Sequence, residues 1–224
     1  MNAIAENFFN LTVFQKSVTL LTIGIVNLLW LFSASFIAAL VVGVVLAGLG
    51  SSRFGLIRSL VTWFVDVVRS LPPLVSLVVV FYLVPPVNGF SLSAFQAAVL
   101  TFGVIQGAYM SEIFRGGLHA VSPGQHLAAT ALGMSGSQTA RFVVAPQVFQ
   151  YMLPPMTSQA TQLVRDSSLA FFIGYAEVVT MAKLAVTSNS NSTPYTMAIA
   201  FYAVLLISMQ LLSSWMERRR ARSR

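Results

Sequence analysis

The chain has 224 residues, of which 56% are hydrophobic and 8% charged, and its formal net charge is +7. A soluble domain carries about 25% charged residues, so the composition excludes an ordinary soluble domain and indicates a polytopic helical membrane protein of five or six spans. There is no cysteine, which excludes a disulfide framework or a thiolate metal site, and the apolar runs far exceed the roughly ten alternating residues of a barrel strand.

The chain opens Met1-Asn2-Ala3-Ile4-Ala5-Glu6, without a basic n-region or a clear cleavage site, so the first span is expected to act as a signal anchor. That span lies within residues 17–52, a stretch without charge, longer than a crossing requires and therefore expected to be long, tilted or partly interfacial. Arg53 and Arg58 follow. Span two is predicted over residues 60–84, interrupted at Pro72-Pro73, and the Pro85-Pro86-Val87-Asn88-Gly89 run reads as a short turn. Span three is predicted over residues 92–114. Its Gly103-Val104-Ile105-Gln106-Gly107 pattern allows close helix approach.

A polar, small-residue-rich loop at about residues 116–146 comes next. Ser122-Pro123-Gly124-Gln125 and Ser135-Gly136-Ser137-Gln138 each read as a capping box, the first with proline at N1. Gly133 sits where a left-handed helix stop belongs. Two short helices hinged at Gly133 are predicted, an ordered surface suited to docking a partner, because a mere connector needs only a few residues. His119 and His126 lie in or beside this loop and read as surface histidines, since no ligand cluster surrounds them. Span four is predicted over residues 147–173, broken at Pro154-Pro155, then a polar outer loop over residues 177–194, then span five over residues 195–215.

Five of the basic residues close the chain, Arg218, Arg219, Arg220, Arg222 and Arg224, and a basic cluster directly after an apolar span marks the cytoplasmic side. The expected architecture is an all-α membrane protein with five transmembrane helices, N-terminus outside and C-terminus cytoplasmic. It comprises an outer segment at 1–16, a membrane domain at 17–216 with the cytoplasmic docking loop, and a basic tail at 217–224.

No Gly-x-x-x-x-Gly-Lys-Ser/Thr occurs, nor a recognisable nucleophile–base set, so the chain is read as carrying no bond chemistry of its own. Charges within spans are expensive and are the functional candidates. Asp66 and Arg69, and likewise Glu112 and Arg115, are spaced i, i+3 and are expected to pair along a helix face. Arg165 and Asp166 are adjacent, so on a helix they point about 100° apart and do not pair directly. Followed by Ser167 and Ser168, they are candidates to face a solute path, as is Arg69. Pairing with a neighbouring span is the competing reading.

The loop's spacing resembles that of binding-protein-dependent ABC importer permeases. Leu127-Ala128-Ala129, three residues, Gly133, nine residues and Val143-Val144-Ala145-Pro146 match the family's Glu-Ala-Ala, Gly, Ile-x-Leu-Pro pattern in spacing. Leu127 stands where that pattern has Glu, and Ala145 where it has Leu. Glu112-Ile113-Phe114-Arg115-Gly116-Gly117, Arg69-Ser70-Leu71-Pro72 and Arg165-Asp166-Ser167-Ser168-Leu169 are similar to the polar amino acid branch, and the resemblance covers roughly residues 19–224. Leu127 and Phe81-Tyr82-Leu83-Val84-Pro85 most resemble permease subunits of glutamate/aspartate importers.

The resemblance implies a type I ABC importer permease fold in a bacterial cytoplasmic (inner) membrane. Gly124, Gln125, Leu127, Ala128, Ala129 and Gly133 would receive a cytoplasmic ABC ATPase dimer, which would bind the ATP and Mg; no cofactor is expected in this chain. The other implied partners are a second permease subunit, related or identical, and a periplasmic or extracellular amino acid-binding protein. Nucleic acid is not expected. The alternative solutes are glutamine, histidine or basic amino acids. An ion-coupled secondary transporter would carry an internal repeat, and the two halves show none. A membrane scaffold leaves the capped loop and broken spans without a reason.

Overall fold

A computed structural model describes residues 6–85, 89 and 91–221, with the side chains of 219–221 outside the description. The residues 1–5, most of the Pro85–Gly89 turn, and Arg222 and Arg224 of the tail therefore lie outside the described residues, as do the Arg219 and Arg220 side chains. Every regular element among the described residues is helical. In chain order they are α1 (Leu11–Gly50), α2 (Gly55–Ser70), α3 (Pro73–Leu83), α4 (Ala94–His119), α5 (Pro123–Ala131), α6 (Gly136–Ile173), α7 (Val178–Asn189) and α8 (Thr193–Ala221).

The uncharged run forms one helix. α1 has 40 residues, about 60 Å at 1.5 Å per residue, twice the roughly 30 Å hydrocarbon core. Asn10 caps it by accepting from the Thr12 and Val13 amides. Its buried positions form one stripe at three- and four-residue spacing, from Ser17 through Leu28 and Ala39 to Gly50. That stripe packs along α4. Gly103 and Gly107 permit the contact: a Cβ on Gly107 would lie 2.5 Å from Val42 Cγ1, and one on Gly103 2.8 Å from Ala38 Cβ. The small-residue pattern thus does what its spacing predicts.

Two bends fall where the sequence interrupts or ends an expected span, at Pro72-Pro73 and after residue 173. At Leu71-Pro72 the chain turns by 101° between α2 and α3. Proline at 72 and 73 denies the helix two donors, and the residue before a proline is driven to extended backbone; Leu71 sits at ψ 136°. Neither limb, at 16 residues and at 6 plus 5, reaches the roughly 20 residues of a span. α2 instead seats Val65 and Val68 against Ile105 and Ala108 of α4 and leaves Leu56, Leu60 and Trp63 exposed.

The expected break at Pro154-Pro155 does not occur. Ala145–Ser167 is one continuous α-helix through both prolines. α8 packs alongside this stretch of the helix, and the Thr157 hydroxyl donates to the Leu153 carbonyl at 2.9 Å. The irregularity falls earlier, in a π-helical stretch at Thr139–Val144 just before Pro146. A second π stretch, Val79–Leu83, stands just before Pro85. In both places the widened turn relieves the clash of the proline ring with the carbonyl four residues back. The helix ends instead at Gly174, left-handed at φ 74°, where the chain bends by 49° into α7.

The polar outer loop expected at residues 177–194 is mostly helix. Val178–Asn189 forms α7, with Ala182 and Ala185 buried and Val178 packed on Leu28 of α1 and Ala198 of α8. A central cluster of Leu31, Leu77, Phe102, Leu163 and Ile173 joins α1, α3, α4 and α6. Among the described residues, three helices are long and apolar enough to cross a bilayer, and the two bent pairs would raise the number to five.

Candidate functional site

The capped loop folds largely as its punctuation dictates. Ser122 caps α5, but the expected reciprocal box is not formed: its hydroxyl accepts from the Gly124 amide at 3.3 Å, and Gln125 does not reach back. With proline at N1 the chain makes a Ser turn that satisfies the nearer amide first. Gly133, at φ 75°, closes α5 in a Schellman arrangement, with the Met134 amide on the Ala129 carbonyl and the Gly133 amide on the Thr130 carbonyl. Ser135 and Gln138 form the full reciprocal box, at 3.3 and 2.8 Å. The helix it starts runs directly into α6, so the predicted second short helix is the first turn of a long one.

This geometry sorts the loop residues. Ala129 is 3% exposed, on the helix that packs against the π stretch. Leu127 and Leu132 are 73% and 82% exposed, and Gly124, Gln125 and Ala128 are exposed with them. The result is an ordered, small-residue ledge with two bare leucines.

The second candidate region centres on α4. Arg69, at the end of α2, does not pair with Asp66 as the spacing predicts. Its guanidinium lies 4.9 Å from the centroid of the Tyr109 ring, and Tyr109 donates its hydroxyl to the Arg69 carbonyl at 3.3 Å. Both charges are exposed, and an exposed pair gains little in place of the ring contact. The second predicted pair is present: Arg115 donates to Glu112 at 2.6 Å, the one salt bridge among the described residues.

Three residues before Tyr109, Gln106 is 1% exposed and donates to Asp166 Oδ2 at 2.9 Å. Gln162 donates to Asp166 Oδ1, also at 2.9 Å. Asp166 is 6% exposed, and each of its oxygens accepts from a side-chain amide, one on α4 and one on its own helix α6. Arg165 points elsewhere, as adjacent helix positions must. It donates to Gln162 Oε1 at 3.3 Å and lines a cavity of about 320 Å³ with Ser158 and Thr161 of α6 and Gln210, Ser213, Ser214 and Glu217 of α8. The Ser167 and Ser168 hydroxyls turn inward, onto the carbonyls of Leu163 and Arg165 at 2.8 and 2.7 Å. The structure thus brings Arg69 and Asp166 to one turn of α4 and sets Arg165 on the neighbouring face. Gln106 and Gln162, which join them, carry no sequence signal, because neutral amides in apolar helices become informative only through their partners.

Glu177 was read as a loop residue and is fully buried. It caps α7 by accepting from the Val179 and Thr180 amides, each at 2.9 Å, and from the Tyr202 hydroxyl at 3.0 Å. Asn27 and Tyr175 tie the same bend to α1: Asn27 donates to the Ala176 carbonyl and Tyr175 to the Asn27 carbonyl.

Comparison with known proteins bears on all of this. Residues 39–222 match the family described as binding-protein-dependent transport system inner membrane component. The chain is 30% identical over 214 residues to a glutamine transport system permease protein of Escherichia coli (strain K12), covering 94% of this chain and 97% of that one. It is 30% identical over 207 residues to a glutamate/aspartate import permease protein of Escherichia coli O6:H1, covering 88% and 92%. Among solved structures it is similar to that of an amino acid ABC transporter with histidines, at TM-score 0.82 and 28% identity over 92% of this chain and 96% of that one. The chain belongs to the family of binding-protein-dependent transport system inner membrane components.

Proposed function

We propose that this membrane component is the translocating subunit of an ATP-driven importer of polar amino acids, and that its solute is glutamate or aspartate. The observation that carries the solute reading is Arg165. It is a guanidinium in no salt bridge among the described residues, and it lines a polar cavity between α6 and α8 whose wall carries serine and threonine hydroxyls, Gln210 and Glu217. An acidic amino acid brings a net negative charge to a poorly hydrated path, where an unpaired carboxylate is costly, and a cation answers it. Arg69, held over the Tyr109 ring of α4, is the second cation. Ser167 and Ser168 support the backbone beneath Arg165.

On this reading the chain lies in the inner membrane as a multi-pass subunit, N-terminus outside and C-terminus in the cytoplasm. The α5 ledge receives an ABC ATPase dimer that holds ATP and Mg, a second permease subunit completes the path, and a soluble amino acid-binding protein delivers the solute. The bare leucines at 127 and 132 support apolar docking in place of the acidic residue of the family pattern.

Glutamine is the second reading, favoured by the similarity to a glutamine permease. Uptake of labelled glutamate and glutamine by proteoliposomes containing the assembled complex separates them. The expected result is glutamate uptake that falls about tenfold or more in Arg165→Gln and is partly recovered in Arg165→Lys, because an ammonium lacks the bidentate fork. Normal glutamate uptake by both assembled variants removes Arg165 from the path; uptake of glutamine alone replaces the solute.

A further inference from the structure

We infer that Gln162 is the positioning residue that keeps Arg165 available to an anionic solute, by standing between its guanidinium and the buried carboxylate of Asp166. The inference rests on the reading of Arg165 as the solute cation.

Arg165 and Asp166 leave the helix about 100° apart, so they meet only if the long Arg165 side chain folds back, and in this structure they form no ion pair. Gln162 occupies the place of that pair. One turn earlier on α6, its Nε2 donates to Asp166 Oδ1 at 2.9 Å and its Oε1 accepts from Arg165 Nη1 at 3.3 Å. A carboxamide is suited to this, with a donor end for the anion and an acceptor end for the cation. Asp166 is anchored independently, from α4, by Gln106 Nε2 at 2.9 Å.

A direct guanidinium–carboxylate contact would be bidentate and would consume the fork that a solute carboxylate needs. With the amide between them, one of five N–H donors is engaged, and Arg165 lines the cavity with Ser158, Thr161, Gln210, Ser213 and Glu217, with which it forms no salt bridge. The serine hydroxyls next in the chain do not compete, since both bond backbone carbonyls.

The test is equilibrium binding of radiolabelled glutamate to the purified permease–ATPase complex in detergent, without binding protein. Gln162→Met keeps the length and loses both hydrogen bonds. It is expected to assemble normally and to weaken binding about tenfold, as Arg165 collapses onto Asp166. Adding Asp166→Asn to Gln162→Met removes the competing anion and is expected to restore most of the affinity, which a brace holding α6 in shape would not do. Unchanged affinity in Gln162→Met, with Arg165→Lys weakened, overturns the role of Gln162 and leaves Arg165 as the solute cation. Unchanged affinity in both Arg165→Lys and Arg165→Gln removes the cation reading, and Gln162 with it. Failure of Gln162→Met to assemble, or equal weakness in the double variant, makes Gln162 a structural brace and overturns the inference.

Discussion

At the scale of single residues, the buried polar groups decide what the membrane helices can do. Glu177 accepts from two backbone amides and two hydroxyls, those of Thr180 and Tyr202, inside a bend that joins α6 to α7. Removing it orphans the amides at the start of α7, so Glu177→Ala is expected to destabilise the purified complex by roughly 1–3 kcal/mol, read as a fall in Tm. Tyr202→Phe leaves three donors on Glu177 and should cost about 1 kcal/mol. A Tyr202→Phe effect as large as that of Glu177→Ala would show that the cap is not what holds the bend. Charges mislead at this scale when read by spacing alone. Glu112 and Arg115 pair as i, i+3 predicts, whereas Arg69 at the same spacing from Asp66 takes the Tyr109 ring instead. The difference lies in what α4 offers across the contact, which no local pattern records.

At the scale of elements, most helices and the break at Pro72-Pro73 were legible, whereas the helix at Val178–Asn189 and the continuity through Pro154-Pro155 were not. The uncharged run, the Gly103–Gly107 pattern and the Gly133 stop each act through local geometry, and each appears where the sequence places it. Pro154-Pro155 reads as a break but is accommodated within α6, where α8 packs alongside. The polar residues of 177–194 hide a helix whose buried face is only alanine and valine, too small to raise local hydropathy. Two predictions belong here. Gly107→Leu puts a side chain where even a Cβ lies 2.5 Å from Val42, so α1 and α4 must separate and the complex should lose about 2 kcal/mol or fail to assemble. Unchanged Tm and assembly would mean that α1 does not ride on α4 as described. Gly133→Ala forces a left-handed backbone at φ 75° on a residue with a Cβ, at roughly 1 kcal/mol. It should loosen ATPase retention on co-purification while membrane insertion stays normal; wild-type retention would release Gly133 from any part in docking. Ala129→Trp is a poorer probe than its place in the motif suggests, since Ala129 is 3% exposed and a bulky residue unfolds the ledge itself.

At the scale of the whole molecule, the fold carries a bare ordered ledge on α5 and, on α2 and α6, the exposed Arg69 and Arg165, which form no salt bridge among the described residues. Family membership makes a transport complex the frame in which both have a use. The central claim is that the ledge is where the ATPase sits. The chain contains no cysteine, so a single introduced thiol reports its own contacts. Leu127→Cys and Leu132→Cys, each in the otherwise unaltered chain, would carry a thiol-to-amine cross-linker in assembled proteoliposomes. Ile199→Cys, 70% exposed on α8, would serve as the comparison. The account predicts adducts to a P-loop ATPase from both ledge positions, changing in yield when ATP is added, and none from Ile199→Cys. Absence of the ledge adducts from a complex that still transports, or equal yield from Ile199→Cys, would contradict it.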